Sequence, residues 1–68
     1  MRLFINGEEK NSSDFLSLAE LIEQLGMKGD RVAVELNREI VRQPAWPASE
    51  VLDGAQIEVV WFVGGGAH

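Results

Sequence analysis

The sequence predicts an α+β domain in which one helix packs on one face of a mixed sheet. Three stretches carry this expectation. MRLFIN, at the start, alternates in polarity and runs into Asn6-Gly7. SLAELIEQLG places its apolar residues on a single helical stripe, and AQIEVVWFV, near the end, returns to a strand pattern.

In MRLFIN, Leu3 and Ile5 fall on one side and Arg2, Phe4 and Asn6 on the other, the period-2 pattern of a strand. Asn6-Gly7 is the commonest signal for a type I′ hairpin, because both residues tolerate positive φ. EEKN is then a short, polar return strand. In the helical stretch, Leu18, Leu21, Ile22 and Leu25 follow the spacing i, i+3, i+4, i+7. Ser17 with Glu20 three residues on reads as a capping box, and Gly26 is placed to end the helix in the left-handed region. A helix of roughly two turns is not stable alone, so its stripe needs a sheet to lie on.

RVAVEL alternates again, with Val32, Val34 and Leu36 on one face, and Asn37-Arg38 is a tight turn into the short strand EIV. Pro44 and Pro47 make RQPAWPASEV an irregular crossover rather than a helix, anchored by burial of Trp46. Asp53-Gly54 is a turn, and the last strand follows it. Hairpin, helix, hairpin, loop and strand close into one sheet when the last strand lies beside the first. That is the β-grasp, or ubiquitin-like, arrangement, assigned to residues 1–62, with a flexible glycine tail at 63–68. The alternative is another small α+β sheet with the last strand at an edge.

A chain of 68 residues is a single domain, and 46% hydrophobic with 25% charged residues is the balance of a folded globule. Without cysteine there is no disulfide, thiolate nucleophile or Cys-based zinc site, and one histidine cannot build a metal site alone. Six basic against eleven acidic residues, a net charge of -5, oppose nucleic-acid binding and favour partners with basic faces. No apolar stretch approaches the roughly 20 residues of a membrane span, and the N-terminus turns polar too early for a signal peptide. These features predict a cytoplasmic protein that binds neither nucleic acid nor membrane and is a monomer when alone.

A catalytic site has little to draw on. His68, the one imidazole, sits where nothing orients it, and the pairs Glu8/Glu9 and Glu20/Glu23 read as solvated faces rather than acid/base pairs. No residue is assigned a catalytic role. The glycines at 64–66 are not a phosphate cradle, because no helix follows them to supply free N–H groups. In the last strand, Ile57, Val59 and Trp61 alternate with Glu58, Val60 and Phe62. The set containing Ile57 continues the alternation of Leu3 and Ile5 and is expected to form core beneath the helix. Val60 and Phe62 then share the uncovered face with Phe4, as a partner-binding patch. The alternatives are that Trp46 covers that face or that the faces are swapped.

With these elements in hand, the chain resembles the ThiS sulfur carriers. VLDGAQIEVVWFVGGG is similar to that family's C-terminal signature, and MRLFINGEE, SLAELIEQLG and VAVELNREIV are similar to its first hairpin, helix and second hairpin. MoaD-type carriers of molybdopterin synthesis share the fold and the Gly-Gly end, usually in longer chains. The resemblance implies a carrier rather than an enzyme, binding no cofactor of its own. A ThiF-type enzyme would use ATP to adenylate the C-terminal glycine, and a persulfide sulfur from a cysteine desulfurase would displace AMP. The thiocarboxylate so formed would give its sulfur to thiazole synthase (ThiG) for the thiazole ring of thiamine. Gly65 and Gly66 are the sulfur-carrying terminus in this reading, with Val63 and Gly64 as the arm behind them. Four extended residues reach roughly 13 Å, enough to enter a recessed site, and glycine threads where a Cβ would not fit. Ala67 and His68 depart from the family pattern, since an internal amide cannot be adenylated as a free carboxylate can. Proteolytic removal of the two residues, loss of the family function, or their addition to the natural chain would each account for them. A β-grasp interaction module whose tail is only a spacer is the reading outside the carrier class, and a modifier joined to lysines is a third.

Overall fold

The computed structural model describes residues 1–12, 16–27 and 31–61. In chain order these form β1 (Arg2–Ile5), β2 (Glu8–Asn11), α1 (Leu18–Gln24), β3 (Val32–Leu36), β4 (Glu39–Val41), a 3-10 helix (Gln43–Ala48) and β5 (Gln56–Trp61). The sheet order is β2-β1-β5-β3-β4. β5 runs parallel to β1 and antiparallel to β3, and both hairpins are antiparallel. This is the expected β-grasp, with the last strand in the centre and not at an edge.

Local signals set the element ends as the sequence predicts. Asn6 and Gly7 have φ of 51° and 85°, so both residues of the first hairpin turn are left-handed, and Asn37 (50°) and Arg38 (73°) repeat this at the second. Ser17 Oγ accepts from the Glu20 N–H at 3.1 Å while Glu20 Oε1 accepts from the Ser17 N–H at 2.8 Å, so both halves of the capping box are made. At the other end Gly26 has φ 76°. Its N–H reaches the Glu23 carbonyl and the Met27 N–H reaches that of Ile22, the paired bonds of a Schellman ending.

One core forms between α1 and the sheet. Leu18, Leu21 and Ile22 from α1 meet Leu3 and Ile5 from β1, Val32 and Val34 from β3, and Ile57 and Val59 from β5, with Leu16, Trp46, Val51 and Ala55 from the connections. The Ile57 set therefore faces the helix, as expected. The segment before β5 is fastened to β1 rather than left loose. Asp53 Oδ1 accepts from the Arg2 N–H at 2.6 Å, and the Gly54 N–H donates to the Arg2 carbonyl at 2.7 Å.

Two expectations are corrected. The segment with two prolines is a 3-10 helix, not an irregular crossover. Pro44 lies in its first turn, where no N–H is needed, and the Ala45-to-Arg42 and Ser49-to-Trp46 bonds close one turn before Pro47 and one that contains it. Trp46 is buried as expected, its indole Nε1–H donating to the Val41 carbonyl at 2.8 Å. Trp61, expected in the sheet core, is 54% exposed. Pairing of β5 with β1 ends at Ile57, whereas pairing with β3 runs on to Trp61 opposite Val32. The ring therefore sits where the sheet has narrowed and too little structure remains to bury it.

Candidate functional site

The face of the sheet away from α1 is assembled by the register. Phe4 stands between Glu9 on β2 and Gln56 on β5. Further along β5, Glu58 lies opposite Glu35, Glu35 opposite Ile40, and Val60 opposite Ala33. Residues directly opposite share a face, so Phe4, Glu35, Ile40, Glu58 and Val60 all lie on the uncovered side. Trp46 does not cover it. That ring joins the core and lines a groove with Ala19, Ile22 and Met27, against the helix.

The face has two unlike halves. At the β1 end, the Arg2 guanidinium sits 5.8 Å from the Phe4 ring centroid and its Nε lies 3.7 Å from Glu9 Oε2. This half is closed on itself, with a cation over the aromatic face and an anion beside the cation. At the β5-β3-β4 end, Val60 is 55% and Ile40 76% exposed. Between them lie Glu58 and Glu35, directly opposite one another, and among the described residues neither has an ion-pair partner. Like charges facing across a strand pair destabilise it. Glu58→Gln is therefore expected to stabilise the free protein by roughly 0.2–0.5 kcal/mol, a small figure because the pair is exposed to solvent. The measurement is a urea midpoint that rises at constant slope, and an unchanged midpoint would mean that the two carboxylates do not repel at this separation.

Of the two expected partner-binding residues that the structure describes, Val60 is exposed and Phe4 is not. Phe4 is half-buried beneath Arg2 and lies four residues back along β5 from Val60, roughly 13 Å at strand rise. Phe62, and Val63, Gly64, Gly65 and Gly66 after it, fall outside the described residues. Ile40, Glu35 and Glu58 are the members that sequence reasoning missed. The alternation in EIV carried a signal for Ile40, whereas the facing of Glu35 and Glu58 depends on a register between strands more than twenty residues apart. Among the described residues no helix is long and apolar enough to cross a membrane.

A five-stranded mixed sheet in this order, one helix on one face, and a central last strand define a ubiquitin-like β-grasp domain. Residues 2–66 match the ThiS family as a whole. The chain belongs to that family. Its backbone is similar to the crystal structure of thiamine biosynthesis protein ThiS from Geobacter metallireducens, with a TM-score of 0.84 and 35% identity over 97% of this chain and 100% of that one. It is also similar to part of two proteins named thiazole synthase. One is from Paramagnetospirillum magneticum, 43% identical over 67 residues, and one from Magnetococcus marinus, 38% identical over 68. These alignments cover 98% and 100% of this chain, which spans about a fifth of each relative's length, 21% in both cases.

Proposed function

We propose that this chain carries sulfur as a thiocarboxylate on Gly66 and delivers it for the thiazole ring of thiamine. The chain acts as the substrate of an activating enzyme and not as a catalyst. Once Ala67 and His68 are removed, the Gly66 carboxylate attacks the α-phosphorus of ATP on a ThiF-type enzyme, releasing pyrophosphate and forming an acyl-adenylate. A persulfide sulfur supplied by a cysteine desulfurase displaces AMP, and cleavage of its S–S bond by a thiol leaves the thiocarboxylate. ATP is the activating enzyme's cofactor, and the carrier holds none.

The observation that carries this reading is the position of β5. The strand that leads in sequence to the glycines is bonded on both sides in the centre of the sheet, and it presents Val60 and Glu58 on the uncovered face. Recognition by the globule and chemistry at the terminus are thus borne by one strand. That the relatives named thiazole synthase hold a segment similar to this chain within a longer polypeptide supports a thiazole synthase as the sulfur acceptor. Intact-mass analysis tests the proposal. Protein ending at Gly66, incubated with the host's activating enzyme, ATP and a persulfide donor, is expected to exchange one oxygen for sulfur, and the form that keeps Ala67 and His68 is not. A Gly66-terminated protein that the enzyme never adenylates overturns it.

A further inference from the structure

β1 and β5 pair as parallel strands, with Phe4 beside Gln56. In a regular parallel ladder, every second residue of one strand donates its N–H to one carbonyl of the neighbour and accepts, on its own carbonyl, the N–H two residues further along that neighbour. The Phe4 N–H accordingly donates to the Ala55 carbonyl at 2.9 Å, and the Asn6 N–H to the Ile57 carbonyl at 2.8 Å. The next contacts on β5 belong to Val59. Its N–H should meet the main-chain carbonyl of residue 6, and its carbonyl should meet the N–H of residue 8.

The chain does not supply them, because it turns away at Asn6 and Gly7 into the β1-β2 hairpin. The side chain of Asn6 takes their place. Its Oδ1 accepts from the Val59 N–H at 2.8 Å, and its Nδ2 donates to the Val59 carbonyl at 3.3 Å. One carboxamide thus replaces the acceptor of its own residue and the donor of the residue two places on. It extends the β1 side of the sheet by one rung past the point where β1 ends. Few side chains can do this, since the position requires left-handed backbone as well as an acceptor and a donor on one short stem.

We propose that Asn6 is a positioning residue for the sulfur-carrying terminus: by latching Val59 on the β1 side, across from its pairing with β3, it steadies the end of β5 that leads in sequence to Gly66. The inference rests on the carrier reading for its functional consequence, though the latch does not. Fixing Val59 removes freedom that binding to an activating enzyme would otherwise have to remove. Loss of the latch therefore weakens productive docking while leaving the adenylation step, in which Asn6 takes no part, unchanged.

Two variants of the Gly66-terminated protein separate the latch from the turn. Asn6→Gly keeps the left-handed turn and deletes both side-chain bonds, whereas Asn6→Asp keeps the acceptor for the Val59 N–H and loses the donor. Amide hydrogen exchange followed by NMR reads the latch. Val59 is expected to exchange at least tenfold faster in Asn6→Gly, with the Leu21 and Ile22 amides unchanged, and to stay protected in Asn6→Asp. ATP–pyrophosphate exchange with the host's activating enzyme reads the positioning. KM is expected to rise about fivefold or more in Asn6→Gly with kcat within twofold, and Asn6→Asp to fall between this and the unsubstituted protein. Unchanged Val59 exchange in Asn6→Gly overturns the latch. Faster exchange with unchanged KM shows that Asn6 only completes the sheet and overturns the positioning role. Absence of pyrophosphate exchange in the unsubstituted protein overturns the carrier reading and the positioning role with it, and the latch is then judged on Val59 exchange alone.

Discussion

Ile57→Ala is expected to destabilise the protein by about 3 kcal/mol, through the lost transfer energy of the deleted carbons and the cavity left behind. Ile57 is fully buried on the central strand, with β1 on one side, β3 on the other and the apolar stripe of α1 above it. The flanking strands cannot close over the gap without breaking their pairing, so relaxation is left to the side chains of α1, which places the substitution inside the roughly 2–5 kcal/mol range of its class. A domain of this size has a total stability of roughly 3–10 kcal/mol, so the change removes a large share of it. The measurement is urea unfolding followed by tryptophan fluorescence, to which Trp46 responds as it passes from the core to solvent. Ile57→Val serves as the graded control, with an expected loss of about 1 kcal/mol. Equal midpoints for the alanine and valine variants would show that the core collapses around the smaller side chain and that Ile57 is not its centre.

Val60→Lys acts on the opposite side of the same strand and is expected to spare folding. The side chain is 55% exposed, and surface changes of this kind stay within about 0.5 kcal/mol. Docking is another matter. The proposed surface combines Val60 and Ile40 with the facing carboxylates of Glu35 and Glu58, a pattern complementary to an apolar patch edged by cations. A lysine at position 60 removes an apolar contact and sets like charges against each other in the complex. For the Gly66-terminated protein, KM in ATP–pyrophosphate exchange is expected to rise at least tenfold, with kcat within twofold. Gln24→Lys, the same change of charge on the exposed side of α1, is the control and should leave KM alone. If the two variants behave alike, the effect is one of net charge and the open face is not the docking surface.

The parts of the fold legible in the sequence are those whose causes lie within a few residues. Ser17 and Glu20 cap a helix because they are three apart, Gly26 ends it because it has no Cβ, and Asn6-Gly7 turns because both accept positive φ. Val60 was legible as a face residue for a related reason, since alternation along one strand is also local. What escaped depends on where one strand stops against another. Trp61 matches the alternation of a core residue, yet its burial is decided by β1, more than fifty residues earlier, which no longer runs beside it. Glu35 and Glu58 are unremarkable singly and become a site feature only when register sets them opposite each other. Asn6 was read correctly as a turn residue, but its second task, toward Val59, is invisible until β1 and β5 are known to be parallel neighbours. The 3-10 helix escaped because the rule that proline breaks helices is a rule about α-helices, and a short helix with Pro44 in its first turn has little to break.

The central place of β5 has a mechanical consequence. On the proposed carrier reading, an enzyme that draws in the C-terminus loads this strand, and the load is resisted wherever it acts along the strand's own axis. Its hydrogen bonds to β1 and β3 run across that axis, so such a load shears them together and cannot peel them one at a time, as it would on an edge hairpin. Under the proposed carrier function, the terminus could then be held at one site and released to another while the body of the domain keeps its shape.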